Sequence, residues 1–182
     1  MTLGYAYLHG YGSSPTSKKG LLLKNAFALQ GHTLHLPDLN RPTAATITLN
    51  GQLAAVDELA AAHPNVSRWS FIGSSMGGWI AARWAALHPH RMHHLLLLCP
   101  GFEVVTRWRA LVEDGDEHPA VPVVPCPTII VHGLHDVTVP VTVSRRYAAA
   151  HPGHVRLVEV DDDHLLMKST ALIERLAIEH LL

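Results

Sequence analysis

Short apolar runs alternate with longer stretches of helical spacing, and this rhythm constrains the chain more than any other feature of its sequence. The runs are "LGYAYLH" (3–9), "HTLHL" (32–36), "WSFIG" (69–73), "HLLLLC" (94–99), "TIIVHG" (128–133) and "VRLVEV" (155–160). Most are continuously apolar rather than alternating, as expected of strands covered on both faces. Helical patterns occupy 17–30, 47–63, 75–88, 140–151 and 165–181. Pro140 suits a first helical turn, and Pro64, Pro89 and Pro152 follow helical stretches as stop signals. Repeated strand–helix units imply an α/β protein: a mostly parallel sheet of about six strands with helices on both faces.

One segment breaks the rhythm. Residues 101–127, "GFEVVTRWRALVEDGDEHPAVPVVPCP", exceed the needs of a connector and are too few for a domain. They read as a small lid within a single domain spanning 1–182. Fourteen Lys and Arg against fifteen Asp and Glu leave a net charge of −1, so no global field favours nucleic acid or an anionic membrane. Apolar runs stay short of the roughly 18–20 residues of a membrane helix. The start, "MTLGYAYLHGYG", reads as a strand and not as a secretory signal. A cytoplasmic location is the expectation, and the two cysteines, Cys99 and Cys126, read as core thiols in a reducing compartment.

The junction of the third strand and its helix carries the chemistry. "FIGSSMGGWIAARWA" (71–85) passes from strand to helix through Gly73, Ser74, Ser75, Met76, Gly77 and Gly78. "GSSMG" is G-x-S-x-G centred on Ser75, a pattern that sets serine on a sharp turn with its hydroxyl clear of the sheet. Ser74 lacks the flanking glycines, because Ile72 stands two before it. A tight turn and nothing more is the plain alternative. Strand before and helix after favour a nucleophile.

A serine hydroxyl needs a base, and the base needs an acid. On this architecture the chain order is serine, acid, histidine. His151 and His154 precede the last strand and His180 belongs to the last helix, whereas His164 follows the carboxyl end of the last strand, where sites on open α/β sheets gather. Asp136 in "VHGLHDVTVP" occupies the acid position, with Glu103 as rival and a helix cap as the alternative role. Asp161, Asp162 and Asp163 adjoin His164 too closely in sequence to turn back onto it. Attack on an ester also needs donors for the oxyanion. The backbone N–H of Met76 is one candidate and that of Tyr11, in "LHGYGSSP" (8–15), the other. His9 reads as a brace for that loop.

These stretches, together with "YLHGYGSSPTSKKGLLLKNAF" (7–27), "LPDLNRP" (36–42) and "DDDH" (161–164), resemble the α/β-hydrolase superfamily and, within it, the short bacterial YqiA-like esterases. The resemblance implies the α/β-hydrolase fold and a serine esterase with Ser75, Asp136 and His164 as triad, needing no metal or other cofactor. It also implies loss of the early strands of larger members.

The substrate is expected to be a small-molecule ester. Phe102, Trp108, Leu134 and Leu165, with Tyr11 and Met76, are candidates for an apolar acyl pocket, and each is equally able to be core. A small lid favours short acyl chains. Arg41, Arg107 and Arg109 are candidates to hold a carboxylate or phosphate, with solvated surface the favoured reading. Thioester or acyl-transfer chemistry on the same residues, and a non-catalytic binding protein of hydrolase fold, are the rival functions. The His90/His94 pair in "HPHRMHH" offers i, i+4 spacing, but Pro89 interrupts the helix and no carboxylate joins it, so no metal site is expected there.

Overall fold

In the computed structural model, residues 2–103, 112, 114, 117–119, 121–182 are described. Six strands, all parallel, form one sheet in the order β2-β1-β5-β6-β7-β8. They are β1 (Leu3–Leu8), β2 (Leu34–His35), β5 (Arg68–Ser74), β6 (Met92–Leu98), β7 (Thr128–Gly133) and β8 (Val155–Val160). A short antiparallel hairpin, β3 (Pro42–Thr43) with β4 (Thr46–Ile47), lies outside this sheet. The helices are α1 (Lys18–Leu29), α2 (Leu49–Ala62), α3 (Met76–Leu87), α4 (Val141–Ala150) and α5 (Thr170–Leu181).

Side chains alternate across the strands into two cores. Ala6, Leu8, Phe71, Leu95, Leu97 and Ile130 pack with α2, α3 and α4. Tyr5, Tyr7, Ile72, Leu96, Leu98, Ile129 and Val131 pack with α1 and α5. Both faces are therefore apolar, which is why these strands show no polar alternation. The edge strand is shorter than the sequence pattern suggests, since only Leu34 and His35 of 32–36 pair with β1.

The chain leaves β1 toward one edge, forms β2, and returns on the other side of β1 as β5. Ligands on open α/β sheets bind at such a reversal, outside the carboxyl ends of the strands. Here those ends carry His9-Gly10-Tyr11 and Ser74-Ser75.

Helix α5 begins at Thr170, five residues later than its pattern predicts. Leu166 takes a left-handed φ of 53°, which a helix cannot contain. The Asp162 carboxylate accepts from the N–H and Oγ–H of Ser169, both at 2.9 Å, and so organises 162–169 as a loop.

Described parts of 101–127 are tied to three helices. Asp114 accepts from the N–H groups of Leu49 and Asn50, both at 2.7 Å, at the start of α2. The Trp79 indole of α3 donates to the Pro119 carbonyl and the Tyr147 hydroxyl of α4 to that of Pro122.

Candidate active site

Glycine at the β5–α3 junction is a steric requirement. A Cβ on Gly73 would stand 2.5 Å from the Gly77 carbonyl oxygen. One on Gly77 would run into the Leu8 carbonyl and lie 2.5 Å from that of His9. These contacts are with backbone, which cannot swing aside. Their tightness brings the β1 loop against the turn and leaves Ser75 at φ 53°, ψ −117°, a strained conformation for a residue with a side chain. The Ser75 carbonyl is held by the amides of Gly78 and Gly101, both at 2.9 Å.

Ser75 Oγ lies 3.0 Å from His164 Nε2, although 89 residues separate them in sequence. His164 Nδ1 lies 2.6 Å from Asp136 Oδ2. Asp136 Oδ1 accepts from the amides of Thr138 and Val139, both at 2.8 Å, which fixes the carboxylate on its turn. The consistent proton placement has Nδ1–H donating to Asp136 and Nε2 accepting from the Ser75 hydroxyl. Burial of Asp136 pushes its pKa up, but hydrogen bonds from His132, His164 and Val139 outweigh it and hold the carboxyl well below the usual range.

His132 is a supporting residue that sequence reasoning did not single out. It is sealed in the core, with Nε2 at 2.8 Å from the Val139 carbonyl and Nδ1 at 2.7 Å from the Ser144 hydroxyl. A carbonyl can only accept, so Nε2 carries a hydrogen, and that nitrogen stands 3.3 Å from Asp136 Oδ2. Its signal was a histidine inside an otherwise apolar strand.

The other acids are engaged elsewhere. Glu103 forms a two-point pair with Arg146 on α4. Asp161 meets His135, and Asp163 accepts from the Leu165 amide.

Gly10 brings the β1 loop beside the serine, since a Cβ there would be 3.2 Å from that of Ser75. His9 holds this loop. The Leu39 amide donates to its Nε2 at 3.0 Å, which leaves Nδ1–H to donate to the Gly10 carbonyl at 3.0 Å. The Met76 amide, at the first position of α3, has no backbone acceptor among the described residues.

Ser75 and His164 open into a cavity of about 330 Å³. Tyr11 and Leu165 line it, and so do Tyr7, Lys19, Thr138 and Met167, which the sequence analysis did not select. Phe102 instead packs on Tyr147 at 4.3 Å between ring centroids and borders a separate cavity. Leu134 is largely exposed and is not among the residues around Ser75. Trp108, with Arg107 and Arg109, lies outside the described residues.

Cys99 brings its sulfur within 4.8 Å of the donor atoms of Asp136 and His164. Burial pushes the thiol's pKa up, so it stands beside Asp136 and His164 as a neutral group. A second cluster of possible ligands, Asp114, Glu117 and His118, lies away from the serine, and Asp114 already caps α2. Among the described residues no helix is long and apolar enough to cross a membrane.

Residues 4–122 match the uncharacterised protein family UPF0227. The chain belongs to this family. No curated protein matches the UPF0227 chain in sequence. Among solved structures it is similar to a protein of Xanthomonas campestris assigned to the alpha/beta hydrolase superfamily, with 25% identity over 98% of this chain and 97% of that one and a TM-score of 0.77. Est1E of Butyrivibrio proteoclasticus, solved with ferulic acid, is 18% identical over 98% and 89% of the two chains, with a TM-score of 0.79. Alpha/beta hydrolase domain-containing protein 10 from mouse gives 18%, 97%, 88% and 0.77 in the same terms. The UPF0227 chain has the α/β-hydrolase fold and is a member of that superfamily.

Proposed function

We propose that the protein is a serine hydrolase of small carboxylic esters acting through an acyl-enzyme. The observation that carries this reading is the unbroken hydrogen-bonded series from Ser75 Oγ through the His164 ring to the Asp136 carboxylate. In this reading His164 Nε2 takes the Ser75 proton as Oγ attacks the carbonyl carbon. The carbonyl electron pair moves onto oxygen, and the amides of Met76 and Tyr11 receive that charge, each donor being worth about 2.7–4 kcal/mol of barrier. Asp136, held ionised, stabilises the imidazolium and fixes its tautomer. Collapse expels the alcohol, which takes the proton from His164. Water then repeats the sequence on the acyl-enzyme and releases the acid.

A cavity of about 330 Å³ is near the lower end of the roughly 300–1,000 Å³ typical of ligand sites, which favours C2–C4 acyl groups over C16. In the same reading the chain acts as one domain in the cytoplasm, with 101–127 as a small lid. No metal is needed, and retained activity in a chelator is the expected result.

The test is labelling by a fluorophosphonate probe. Wild type is expected to label and Ser75→Ala to remain unlabelled. Equal labelling of both, or none of a folded wild type, overturns the acyl-enzyme route.

A further inference from the structure

Lys19 occupies an inward position of α1, in the stripe Lys19, Gly20, Leu23, Ala26 and Phe27 that packs toward the sheet. It is only 8% exposed. A lysine buried this far ordinarily meets a carboxylate, because an unpaired charge away from water is costly. Lys19 meets none. It forms no hydrogen bond or ion pair with any described residue, yet its ammonium is not among the buried polar atoms sealed from outside. It lines the cavity that contains Ser75 and His164.

The nearest acids are committed to backbone. Asp162 holds the Ser169 and Asp163 amides, and Asp163 holds that of Leu165. Their fields and that of Cys99 favour the ammonium, but burial outweighs them and pushes its pKa down. The site thus lacks a negative partner of its own. The start of α1 adds positive potential. No acid lies in its first turn, and the amides of Lys18 and Lys19 have no backbone acceptor among the described residues.

We infer that the substrate is an ester bearing a carboxylate, which the Lys19 ammonium receives inside the cavity that Ser75 faces. One buried ammonium matches one negative charge. The carboxylate replaces the water that Lys19 otherwise needs, and the ester arm between the two groups presents its carbonyl to Ser75. The hydrolytic part of this statement rests on the function proposed above; recognition by Lys19 does not need turnover.

Binding to the Ser75→Ala protein is therefore the experiment, by calorimetric titration with two matched pairs. Monomethyl adipate against methyl hexanoate places the carboxylate on the acyl arm. 4-Acetoxybutanoate against butyl acetate places it on the alcohol arm. At least one carboxylate ester is expected to bind ten or more times more tightly than its neutral partner. In Ser75→Ala/Lys19→Met the preference should fall below threefold with the neutral affinity retained. Adding Lys24→Ala instead, at an exposed position of α1 outside the cavity lining, should leave it intact. No preference in either pair overturns the inference, whatever the fate of the Lys19 variant. So does a preference that survives Lys19→Met or vanishes with Lys24→Ala. Parallel pH-stat assays of wild type separate the two claims. Lys19-dependent binding without hydrolysis sinks the esterase reading alone, and hydrolysis with no carboxylate preference in binding sinks this one alone.

Discussion

His132 stands 3.3 Å from Asp136 Oδ2, the oxygen that the His164 ring holds at 2.6 Å. Two imidazoles share one carboxylate, one from inside the sheet and one from the cavity. The inner ring also ties Ser144 of α4 to the turn after β7.

Replacing His132 by Phe keeps the bulk and removes every polar contact. The Val139 carbonyl and Ser144 hydroxyl then lose their partner in the core, at about 1–3 kcal/mol for each group left unsatisfied. Urea unfolding should show this loss. Turnover should fall with little change in KM, because the variant disturbs Asp136 and not the cavity. Unaltered stability would mean that the ring is not a structural tie.

Asp136→Asn tests the acid directly. The amide is nearly isosteric but cannot both accept from Nδ1–H and stabilise an imidazolium, so kcat should drop about 10³–10⁴-fold. Glu103→Gln, which weakens the pair with Arg146, should remain within about threefold of wild type. The opposite ranking in a steady-state ester assay would move the acid to Glu103.

Gly77→Ala inserts a methyl group between α3 and the β1 loop, where only backbone can yield. Overpacking of this kind costs about 1–3 kcal/mol, and here it also pushes the loop away from Ser75. Gly153→Ala, with nothing within 4 Å of the added carbon, is the control. Thermal unfolding should separate the two, and ester turnover should fall only in Gly77→Ala.

Stability should fall with acid in two stages. His94 stacks on His180, with Nδ1 unpartnered among the described residues. Burial, with the fields of His93 and His180, lowers its pKa from 6.5 to about 4. The unfolded chain therefore binds more protons between those values, and stability is lost as pH falls from 6.5 toward 4. His94→Gln should flatten that limb. A second limb belongs to Asp136 and Asp162. Burial raises their pKa values, but hydrogen bonds hold both below the ordinary carboxyl range. Their contribution is complete above about pH 4 and disappears as pH drops through the folded values. In Asp162→Asn, melting temperature should therefore approach that of wild type as pH falls below 4. Parallel curves for all three proteins would contradict both assignments.

Periodicity and chain order made much of this molecule legible. Buried strands such as 128–133 announce themselves because both faces are apolar. Ser75, Asp136 and His164 could be selected because each follows the carboxyl end of a strand, and the structure places them within hydrogen-bonding distance in series. What pattern did not reveal was set by side chains acting on backbone. The late start of α5 depends on Asp162 holding Ser169 and on the φ of Leu166. The cavity was harder still, since Phe102 and Leu165 look alike as apolar candidates but occupy different places. Lys19 did leave a trace, as a charged residue on the apolar stripe of α1, visible only once that stripe is drawn at helical spacing.

The order β5-β6-β7-β8 has a consequence for assembly. Strained Ser75 is completed early in the chain, but the ring that faces it follows the outermost strand of that half. While the polypeptide is still being made, the hydroxyl has no proton acceptor in place. On the function proposed above, reactivity would arrive only when the final strand docks, and a half-built molecule would be chemically quiet.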